Sequence, residues 1–194
     1  IAFSLSRYKF VSKMFCYRPN MRVLELGCNE AVGAVMLSQN MNMEKYVGVD
    51  LDADAIAWNR ENLPAEWQFL AANFFTNTEL QAGRYTSDLV MSLDVIEHIE
   101  QKNEDDFCRV ITKNLAKDGV VVIGTPNITM DPYASPASKI GHINLYDQKR
   151  LYRLLSKYFA NVFIFGMNDE IVHTGFAPMA CYIFALCTGV KHDL

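Results

Sequence analysis

The sequence predicts a doubly wound α/β fold, built on a seven-stranded, mostly parallel sheet whose last strand is antiparallel. Short β-branched and apolar runs alternate with segments of helical apolar spacing, and strands joined by helices imply right-handed crossovers and parallel pairing. The last two runs have no segment of helical length between them, which indicates one antiparallel strand. Because no repeat or flexible linker interrupts the pattern, we expect a single domain over residues 1–194.

Seven runs have the length and composition of strands. The first ends at Gly27, and the fifth reads VVVIG, which is typical of a strand that is buried on both faces. In chain order the predicted strands lie at 22–26, 46–49, 68–71, 88–93, 120–124, 162–165 and 180–187.

Helix signals fill the intervals between these runs. Asp52, Asn103 and Asp147 each precede a helical pattern, and their side chains can accept hydrogen bonds from a first helical turn. An amphipathic segment at the N-terminus predicts a helix that caps the sheet. The predicted helices cover 1–20, 31–40, 52–62, 103–117 and 147–158.

Composition excludes some classes of protein. Half of the 194 residues are apolar (51%) and 21% are charged, which is enough apolar material for a core and excludes wholesale disorder. Eighteen Lys and Arg against 22 Asp and Glu give a net charge of −4. Proteins that bind nucleic acid need a dense basic face, so this balance argues against a nucleic-acid partner, although it leaves a local basic patch open. The sequence does not predict an oligomeric state.

Other features bear on location. The five cysteines are odd in number and contain no CxxC pair, so we expect free thiols and a cytoplasmic protein. The uncharged stretch 171–190 contains glycines and a proline, and its densest part has strand length, which favours a buried strand over a membrane span. The chain opens with Ile1 rather than Met, so we expect the natural N-terminus, with any targeting signal, to be missing.

The loop after the first strand indicates a ligand. Small residues from Gly27 to Gly33 let a ligand approach the backbone, whose free amides are expected to favour an anion. Asp50 ends the second strand 23 positions after Gly27, and its carboxylate can accept both hydroxyls of a ribose. Together these features predict a nucleoside with a short charged tail. Nicotinamide-dependent oxidoreductases use a similar loop, but the segment lacks a regular GxGxxG.

Five segments resemble the motifs of class I S-adenosylmethionine-dependent methyltransferases. They are ELGCNEAVG at 25–33, GVD at 48–50, FLAAN at 69–73, SLDVIEHI at 92–99 and LAKDGVVVIGTPN at 115–127. The resemblance covers about residues 7–186, and it is closest to the ubiquinone-biosynthesis O-methyltransferases and related small-molecule enzymes. It implies the Rossmann-like methyltransferase fold, with S-adenosylmethionine as the cofactor.

The resemblance also assigns cofactor contacts. Glu25 and Gly27 would lie by the amino-acid tail, Asp50 would bind the ribose, and Leu51 would lie against the adenine. Arg7 stands 18 residues before Glu25. Related O-methyltransferases have an arginine at this spacing, and its guanidinium holds the cofactor carboxylate. The full implied set is Arg7, Glu25, Gly27, Cys28, Asn29, Asp50, Leu51, Asn73 and Leu93.

Two residues depart from the family pattern. Asn29 and Ala31 replace glycines. Asparagine tolerates a left-handed backbone, so position 29 can keep its geometry. The methyl group of Ala31 is expected to narrow the cofactor pocket.

Several of these residues have simpler interpretations. Glu25 and Asp50 could be strand-end acids that cap the following loops, and Leu51 could be a core leucine. Asn73 could form an Asx turn instead of meeting the adenine, and Arg7 could be a solvated surface residue.

A second constellation comprises Asp94, Glu97, His98 and His142. If residues 94–100 form a helix, Asp94 faces Glu97 and His98, and carboxylates with imidazoles suit a divalent metal. The pattern resembles that of small-RNA 2′-O-methyltransferases, in which it binds metal. Alternatively, Asp94 and Glu97 form a helix capping box and no metal is involved.

The imidazoles suggest a mechanism. A hydroxyl acceptor must lose its proton, and His98 is the candidate general base, with His142 in reserve, because the reference pKa of imidazole is about 6.5. His142 lies in the segment 127–146, whose length predicts a substrate-binding lid. The resemblance implies methyl transfer to a small molecule and favours oxygen as the acceptor atom, while phenols, sugar hydroxyls, carboxylates and amines all stay open. The rivals are a metal-dependent RNA 2′-O-methyltransferase, an NAD-dependent oxidoreductase and a non-catalytic nucleoside-binding module.

Overall fold

The computed structural model describes residues 2–191, so positions 1 and 192–194 of the expected domain lie outside the described residues. One eight-stranded sheet runs through this part of the chain, in the order β3-β2-β1-β4-β5-β8-β6-β7. The strands are β1 (Met21–Leu26), β2 (Met43–Asp50), β3 (Gln68–Ala71), β4 (Ser87–Leu93), β5 (Leu115–Pro126), β6 (Phe159–Asn168), β7 (Ile171–His173) and β8 (Tyr182–Val190).

The sheet confirms the predicted α/β architecture but not the count of seven strands. Strands β1 to β5 pair in parallel, and β8 pairs antiparallel with both β5 and β6. The eighth strand, β7, pairs antiparallel with the end of β6, in the segment for which the sequence predicted no element. It has three residues, too few for alternation to be visible in the sequence.

Seven α-helices flank the sheet within the described residues. They are α1 (Ala2–Phe15), α2 (Val32–Ser38), α3 (Ala53–Asn62), α4 (Thr78–Gln81), α5 (Glu104–Lys113), α6 (Pro136–Gly141) and α7 (Gln148–Leu155). Short 3-10 turns lie at Ile96–His98, Gln101–Asn103, Ile128–Tyr133 and Ala177–Met179.

The caps of these helices agree with the sequence in two of three places. Asp52 accepts hydrogen bonds from the first turn of α3, and Asp147 accepts one from the first turn of α7. The predicted Asn103 cap is wrong, because that side chain makes no cap hydrogen bond. Helix α5 also ends earlier than expected, since the Asn114 side chain donates to the carbonyl oxygens of Leu80 and Val110 and β5 begins at the next residue.

Two apolar layers cover the faces of the sheet. One includes Phe107 of α5 and Leu155 of α7, and the other includes Val11 of α1 and Ile56 of α3. All five cysteines are free thiols, as expected. Among the described residues, none of the helices has both the length and the apolar character that a membrane crossing requires.

The strand order positions the site. It reverses at β1, whose neighbours are β2 on one side and β4 on the other. In open α/β sheets, ligands bind beyond the carboxyl ends of the strands at this switch point. The loops that follow β1, β2 and β4 carry Gly27, Leu51 and Asp94, respectively.

Candidate active site

The loop after β1 is built on left-handed backbone. Gly27, Asn29 and Ala31 have φ angles of 85°, 44° and 48°. A Cβ added to Gly27 would lie 2.1 Å from Cγ2 of Val95, so the glycine is needed for space as well as for conformation. The expectation for Asn29 is confirmed. Ala31 adopts the same strained region, and it also lines a cavity beside the loop, so the narrowing by its methyl group stays a prediction.

The backbone amides of residues 27–31 are not free, so that part of the expectation was wrong. Each amide of residues 27–31 donates to an acceptor within the protein. Those of Gly27 and Cys28 donate to the Val49 carbonyl (2.7 and 3.2 Å), that of Asn29 to Oδ2 of Asp50 (2.7 Å), that of Glu30 to Oδ1 of Asn29 (2.8 Å) and that of Ala31 to the Cys28 carbonyl (2.8 Å). Since Asp50 and Asp94 also lie beside the loop, the charge of this site suits a cationic ligand better than an anion.

Glu25 lies beneath the loop. It is fully buried (0% exposed), and its carboxylate accepts hydrogen bonds from the hydroxyls of Tyr8 (2.8 Å) and Tyr46 (2.5 Å). Burial raises the pKa of Glu25 to about 7, although the two tyrosine hydrogen bonds lower it. Glu25 therefore joins α1 to the sheet. Neither interpretation from the sequence, a cofactor contact or a strand-end cap, included this role.

A cavity of about 360 Å³ opens beside the loop, and we call it the donor cavity. It brings together residues from the ends of β1, β2, β3 and β4, among them Gly27, Asn29, Asp50, Leu51, Asn73, Asp94 and His98. Leu51 is 64% exposed, so the core interpretation was wrong. Oδ1 of Asn73 accepts from the amide of Phe75 (2.8 Å), which confirms the Asx turn at a residue that also lines the cavity.

Asp50 has the geometry expected of a hydroxyl acceptor. Its Oδ1 accepts from the amide of Asp52 (2.9 Å) and its Oδ2 from the amide of Asn29 (2.7 Å), which fixes the side chain at the cavity wall. Each carboxylate oxygen can accept a further hydrogen bond, so the carboxylate can still bind two hydroxyls.

A neighbouring cavity of about 410 Å³ shares Gly27, Asn29 and Asp94 with the donor cavity and continues it under α1. We call it the tail cavity. Leu93 and Tyr8 also line it, and a Cβ added to Gly33 would lie 2.0 Å from the Tyr8 ring. Helix α1 thus packs directly against the first turn of α2, and a side chain at position 33 would block that contact.

Cys28 contributes to this site chiefly through its backbone. Its sulfur is buried against β2, where a Cβ on Gly48 would lie 2.8 Å from Sγ. Burial raises the pKa of this thiol well above its usual range, so it stays protonated and unreactive.

Arg7 is a partly buried ion-pair partner and not a solvated surface residue. Its guanidinium pairs with Asp94, with the two side chains 13% and 34% exposed, and it lies 4.2 Å above the centre of the Tyr182 ring. Arg7 lines a third cavity, of about 300 Å³, which we call the acceptor cavity. The Arg7–Asp94 pair therefore lies where the donor, tail and acceptor cavities approach one another.

The predicted four-residue constellation is only partly assembled. Asp94 has a φ of 59° and turns the chain, so residues 94–100 do not form one helix and Asp94 does not share a face with Glu97. The capping box is also wrong, because the 3-10 turn at Ile96–His98 has no side-chain cap. One ligand atom each from Glu97, His98 and His142 lies within 4.8 Å of the others.

Glu97 is the buried member of this cluster. Its Oε2 accepts from the Thr125 hydroxyl (2.9 Å), whereas Oε1 is buried and has no hydrogen-bond partner among the described residues. Burial raises the pKa of Glu97.

The two imidazoles lie edge to face, with ring centres 5.0 Å apart. Nδ1 of His98 is 2.9 Å from the Gly141 carbonyl and must donate to it, so in the neutral form of the ring the lone pair is on Nε2. Burial, and then the neighbouring His98, lower the pKa of His142 and favour its neutral form.

The segment 127–146 forms one wall of the acceptor cavity, as expected of a substrate lid. It folds into the 3-10 turn Ile128–Tyr133 and helix α6, and it supplies Met130, Tyr133 and His142 to the cavity. Closure of this segment over a substrate stays a prediction.

The sequence missed two tyrosines at the site. Tyr8 directly follows Arg7 in the chain, and this position next to a predicted cofactor contact was the one signal that could have indicated it. Tyr182 opens β8 and lines the acceptor cavity, but nothing in its sequence context distinguishes it from a core aromatic residue.

Comparison with known proteins decides the family. A family model described as a methyltransferase domain matches residues 7–161 of this chain. The chain belongs to this family of methyltransferase domains. The enzyme class predicted from the motifs, an S-adenosylmethionine-dependent methyltransferase, is thereby confirmed, whereas the ubiquinone-biosynthesis subtype stays a prediction.

Individual relatives of this methyltransferase domain are distant. A ribosomal protein L11 methyltransferase from Thermosipho africanus (strain TCF52B) is 30% identical over 118 residues, which make up 59% of this chain and 40% of that protein. The matched part is thus less than half of that relative's length.

Solved structures share the fold. The methyltransferase domain of bacterial CtHen1-C has a TM-score of 0.72 at 17% identity, covering 96% of this chain and 99% of that one. The N-methyltransferase NodS from Bradyrhizobium japonicum WM9, in complex with S-adenosylhomocysteine, has a TM-score of 0.66 at 14% identity, covering 98% and 88%. At these identities the likeness shows the common architecture of the methyltransferase domain.

Proposed function

We propose that the domain transfers the methyl group of S-adenosylmethionine to a hydroxyl oxygen of a small-molecule acceptor. The observation that carries this proposal is the arrangement of the cavities. His98 lines the donor cavity, His142 lines the acceptor cavity, and the two rings are in contact where the cavities approach each other.

The donor would lie across the ends of β1 and β2. Its adenine fits between Leu51 and Asn73, its ribose hydroxyls fit on Asp50, and its tail fits in the tail cavity by Gly27 and Leu93. The carboxylates around this path complement the positive sulfonium and ammonium groups of the cofactor. Arg7, which pairs with Asp94 at the edge of the tail cavity, would hold the donor's carboxylate, as the family resemblance implies.

Methyl transfer is an in-line displacement, in which the acceptor oxygen forms a bond to the methyl carbon as the carbon–sulfur bond breaks. The sulfonium becomes a neutral thioether, so alignment and exclusion of water are the enzyme's main contributions. The hydroxyl proton passes to Nε2 of His98, whose orientation is fixed by the Gly141 carbonyl. His142, held neutral, is the reserve base.

The role of His98 can be tested by substitution. Methyl transfer from radiolabelled S-adenosylmethionine to a panel of phenols, sugars, carboxylic acids and amines identifies an acceptor. We expect His98→Ala to lose about 100-fold or more in turnover and to keep its affinity for S-adenosylhomocysteine. Lys139→Ala, an exposed change in the same region, serves as the control. Unchanged turnover in His98→Ala would remove the base assignment.

A second candidate is metal-assisted transfer, and the cluster of Glu97, His98 and His142 favours it. The buried Oε1 of Glu97 and the free Nε2 of His98 suit a divalent cation, but Asp94 does not join them, because it is paired with Arg7. A cation there would polarise a substrate hydroxyl and favour its deprotonation. The pattern resembles that of RNA 2′-O-methyltransferases, yet the net charge of −4 disfavours RNA.

Metal binding separates the two candidates. If the second is correct, Mn²⁺ or Mg²⁺ raises the melting temperature of the wild type and not of Glu97→Gln, because only a bound ligand stabilises the native state. A melting temperature that changes with neither ion nor with EDTA would contradict metal-assisted transfer. RNA binding that is absent or does not depend on salt concentration would contradict an RNA acceptor.

A further inference from the structure

Tyr182 occupies a fixed position in the wall of the acceptor cavity. It opens β8 and is 1% exposed. The Arg7 guanidinium lies 4.2 Å above the centre of its ring, and the Phe184 ring packs edge-on against it, with ring centres 5.0 Å apart. These contacts hold the ring on two sides, so its hydroxyl has a defined place.

The hydroxyl of Tyr182 differs from those of the other buried tyrosines. Tyr46, Tyr85, Tyr146 and Tyr158 each donate to a carboxylate, from Glu25, Glu79, Glu104 and Asp105, respectively. The Tyr182 oxygen is buried, but none of the described residues provides it with a hydrogen-bond partner. A buried polar group without a partner opposes folding, so such groups often mark a ligand site.

Gly124 leaves room for this hydroxyl. A Cβ at position 124 would lie 2.6 Å from the Tyr182 oxygen and 2.8 Å from Cδ2 of Leu93, which lines the tail cavity. The Tyr182 hydroxyl thus lies near the side of the cleft where the donor's tail and the acceptor would meet.

Burial raises the pKa of Tyr182 well above its usual value, so the phenol stays protonated at neutral pH. A protonated phenol can donate a hydrogen bond and cannot act as a base. The neighbouring Arg7 adds positive charge beside the same ring. The two groups together suit an oxygen with available lone pairs, such as that of a carbonyl or carboxylate.

We propose that Tyr182 binds the methyl acceptor by donating its phenolic hydrogen to a carbonyl or carboxylate oxygen adjacent to the methylated hydroxyl. This inference rests on the proposed function, and it adds both a substrate-contacting residue and a chemical class of acceptor. Removing the hydroxyl would weaken acceptor binding and alignment without affecting the donor cavity.

Thermal unfolding of the free protein tests whether the hydroxyl has a structural role. Tyr182→Phe is expected to keep or raise the melting temperature, because the oxygen it removes has no hydrogen-bond partner within residues 2–191. Tyr46→Phe is the matched control and should lower the melting temperature, because it removes a hydrogen bond to buried Glu25. An equal fall in both variants would show that the Tyr182 hydroxyl holds the fold together, and it would overturn the proposal.

Methyl transfer tests the acceptor contact. Wild type and Tyr182→Phe are compared on radiolabelled S-adenosylmethionine with 2-hydroxybenzoate, hydroxy ketones and sugar acids, each paired with the analogue that lacks the carbonyl or carboxylate oxygen. We expect the wild type to prefer the oxygen-bearing member of a pair. In Tyr182→Phe, kcat/KM on that member should fall about tenfold or more, mainly through KM, with unchanged affinity for S-adenosylhomocysteine.

The other outcomes are distinguishable. Equal kcat/KM in the two proteins, or a preference for the analogues, would overturn the role of Tyr182 and leave the proposed function standing. Absence of transfer to every hydroxyl compound, with transfer to amines, would contradict the proposed oxygen acceptor and this inference with it.

Discussion

Arg7 of helix α1 forms an ion pair with Asp94, which directly follows β4, and the pair joins a residue of the acceptor cavity to a residue of the donor cavity. The two residues are 87 positions apart in the chain. Asp94 lines both the donor and the tail cavities, whereas Arg7 lines the acceptor cavity. A change at either residue should therefore affect the docking of α1.

We predict that Arg7→Ala lowers the free energy of unfolding by about 1–2 kcal/mol, because it leaves the partly exposed Asp94 without its partner. Asp94→Asn should have a similar effect. In the double variant, the loss in the free energy of unfolding should be smaller than the sum of the two single losses. A double-mutant cycle of urea unfolding measures this difference. Lys9→Ala, an exposed change on the same helix, is the control, and strict additivity at positions 7 and 94 would show that the pair contributes nothing.

The buried Glu25 predicts a pH dependence of stability. Because its pKa is raised from 4.5 to about 7 in the native protein, the native state binds more protons than the unfolded state between these values. The free energy of unfolding should therefore fall as pH rises from 4.5 to 7, by up to about 3 kcal/mol. Glu97, whose pKa is also raised, contributes in the same direction.

Urea unfolding across this pH range measures the slope. In Glu25→Gln the slope should be reduced to what Glu97 and His142 supply together, since glutamine does not titrate. His142 acts in the opposite direction to Glu97, because its pKa is lowered in the native protein. A slope that is identical in wild type and Glu25→Gln would mean that Glu25 is ionised throughout this range.

Gly33 should tolerate no side chain. Its added Cβ would lie 2.0 Å from the ring of Tyr8, so Gly33→Ala must displace that ring or α1 itself. We expect the melting temperature to fall by roughly 4–8 °C, which corresponds to about 2 kcal/mol for a domain of this size, together with weaker binding of S-adenosylhomocysteine. The double variant Gly33→Ala, Tyr8→Ala should recover cofactor affinity in part. A wild-type melting temperature in Gly33→Ala would show that α1 does not pack there.

Much of the site could be predicted from the sequence because local signals coincide with the topology. The small-residue loop after β1 and the acid that ends β2 come to the same edge of the sheet whenever these strands are parallel neighbours. Leu51 follows the end of β2 and Asn73 follows the end of β3, so both residues line the same cavity.

The remainder depends on contacts that leave no local signal. The left-handed turn at Asp94 separates it from Glu97 and His98, although three- and four-residue spacing suggested one helical face. The amides of residues 27–31 were expected to be free, but acceptors in β2, at its end and within the loop itself satisfy them. Glu25 meets Tyr8 only because α1 folds back across the sheet.

The central claim is that the cleft at the ends of β1 and β2 binds the adenosyl donor, with Asp50 on the ribose. Calorimetric titration with S-adenosylhomocysteine tests it most directly, in the wild type, in Asp50→Asn and in the control Asp54→Asn. We predict one site per chain, an affinity about tenfold or more weaker in Asp50→Asn because a charge-assisted hydrogen bond is lost, and no change in Asp54→Asn. Absence of binding to the wild type, or equal affinity in Asp50→Asn, would contradict the account.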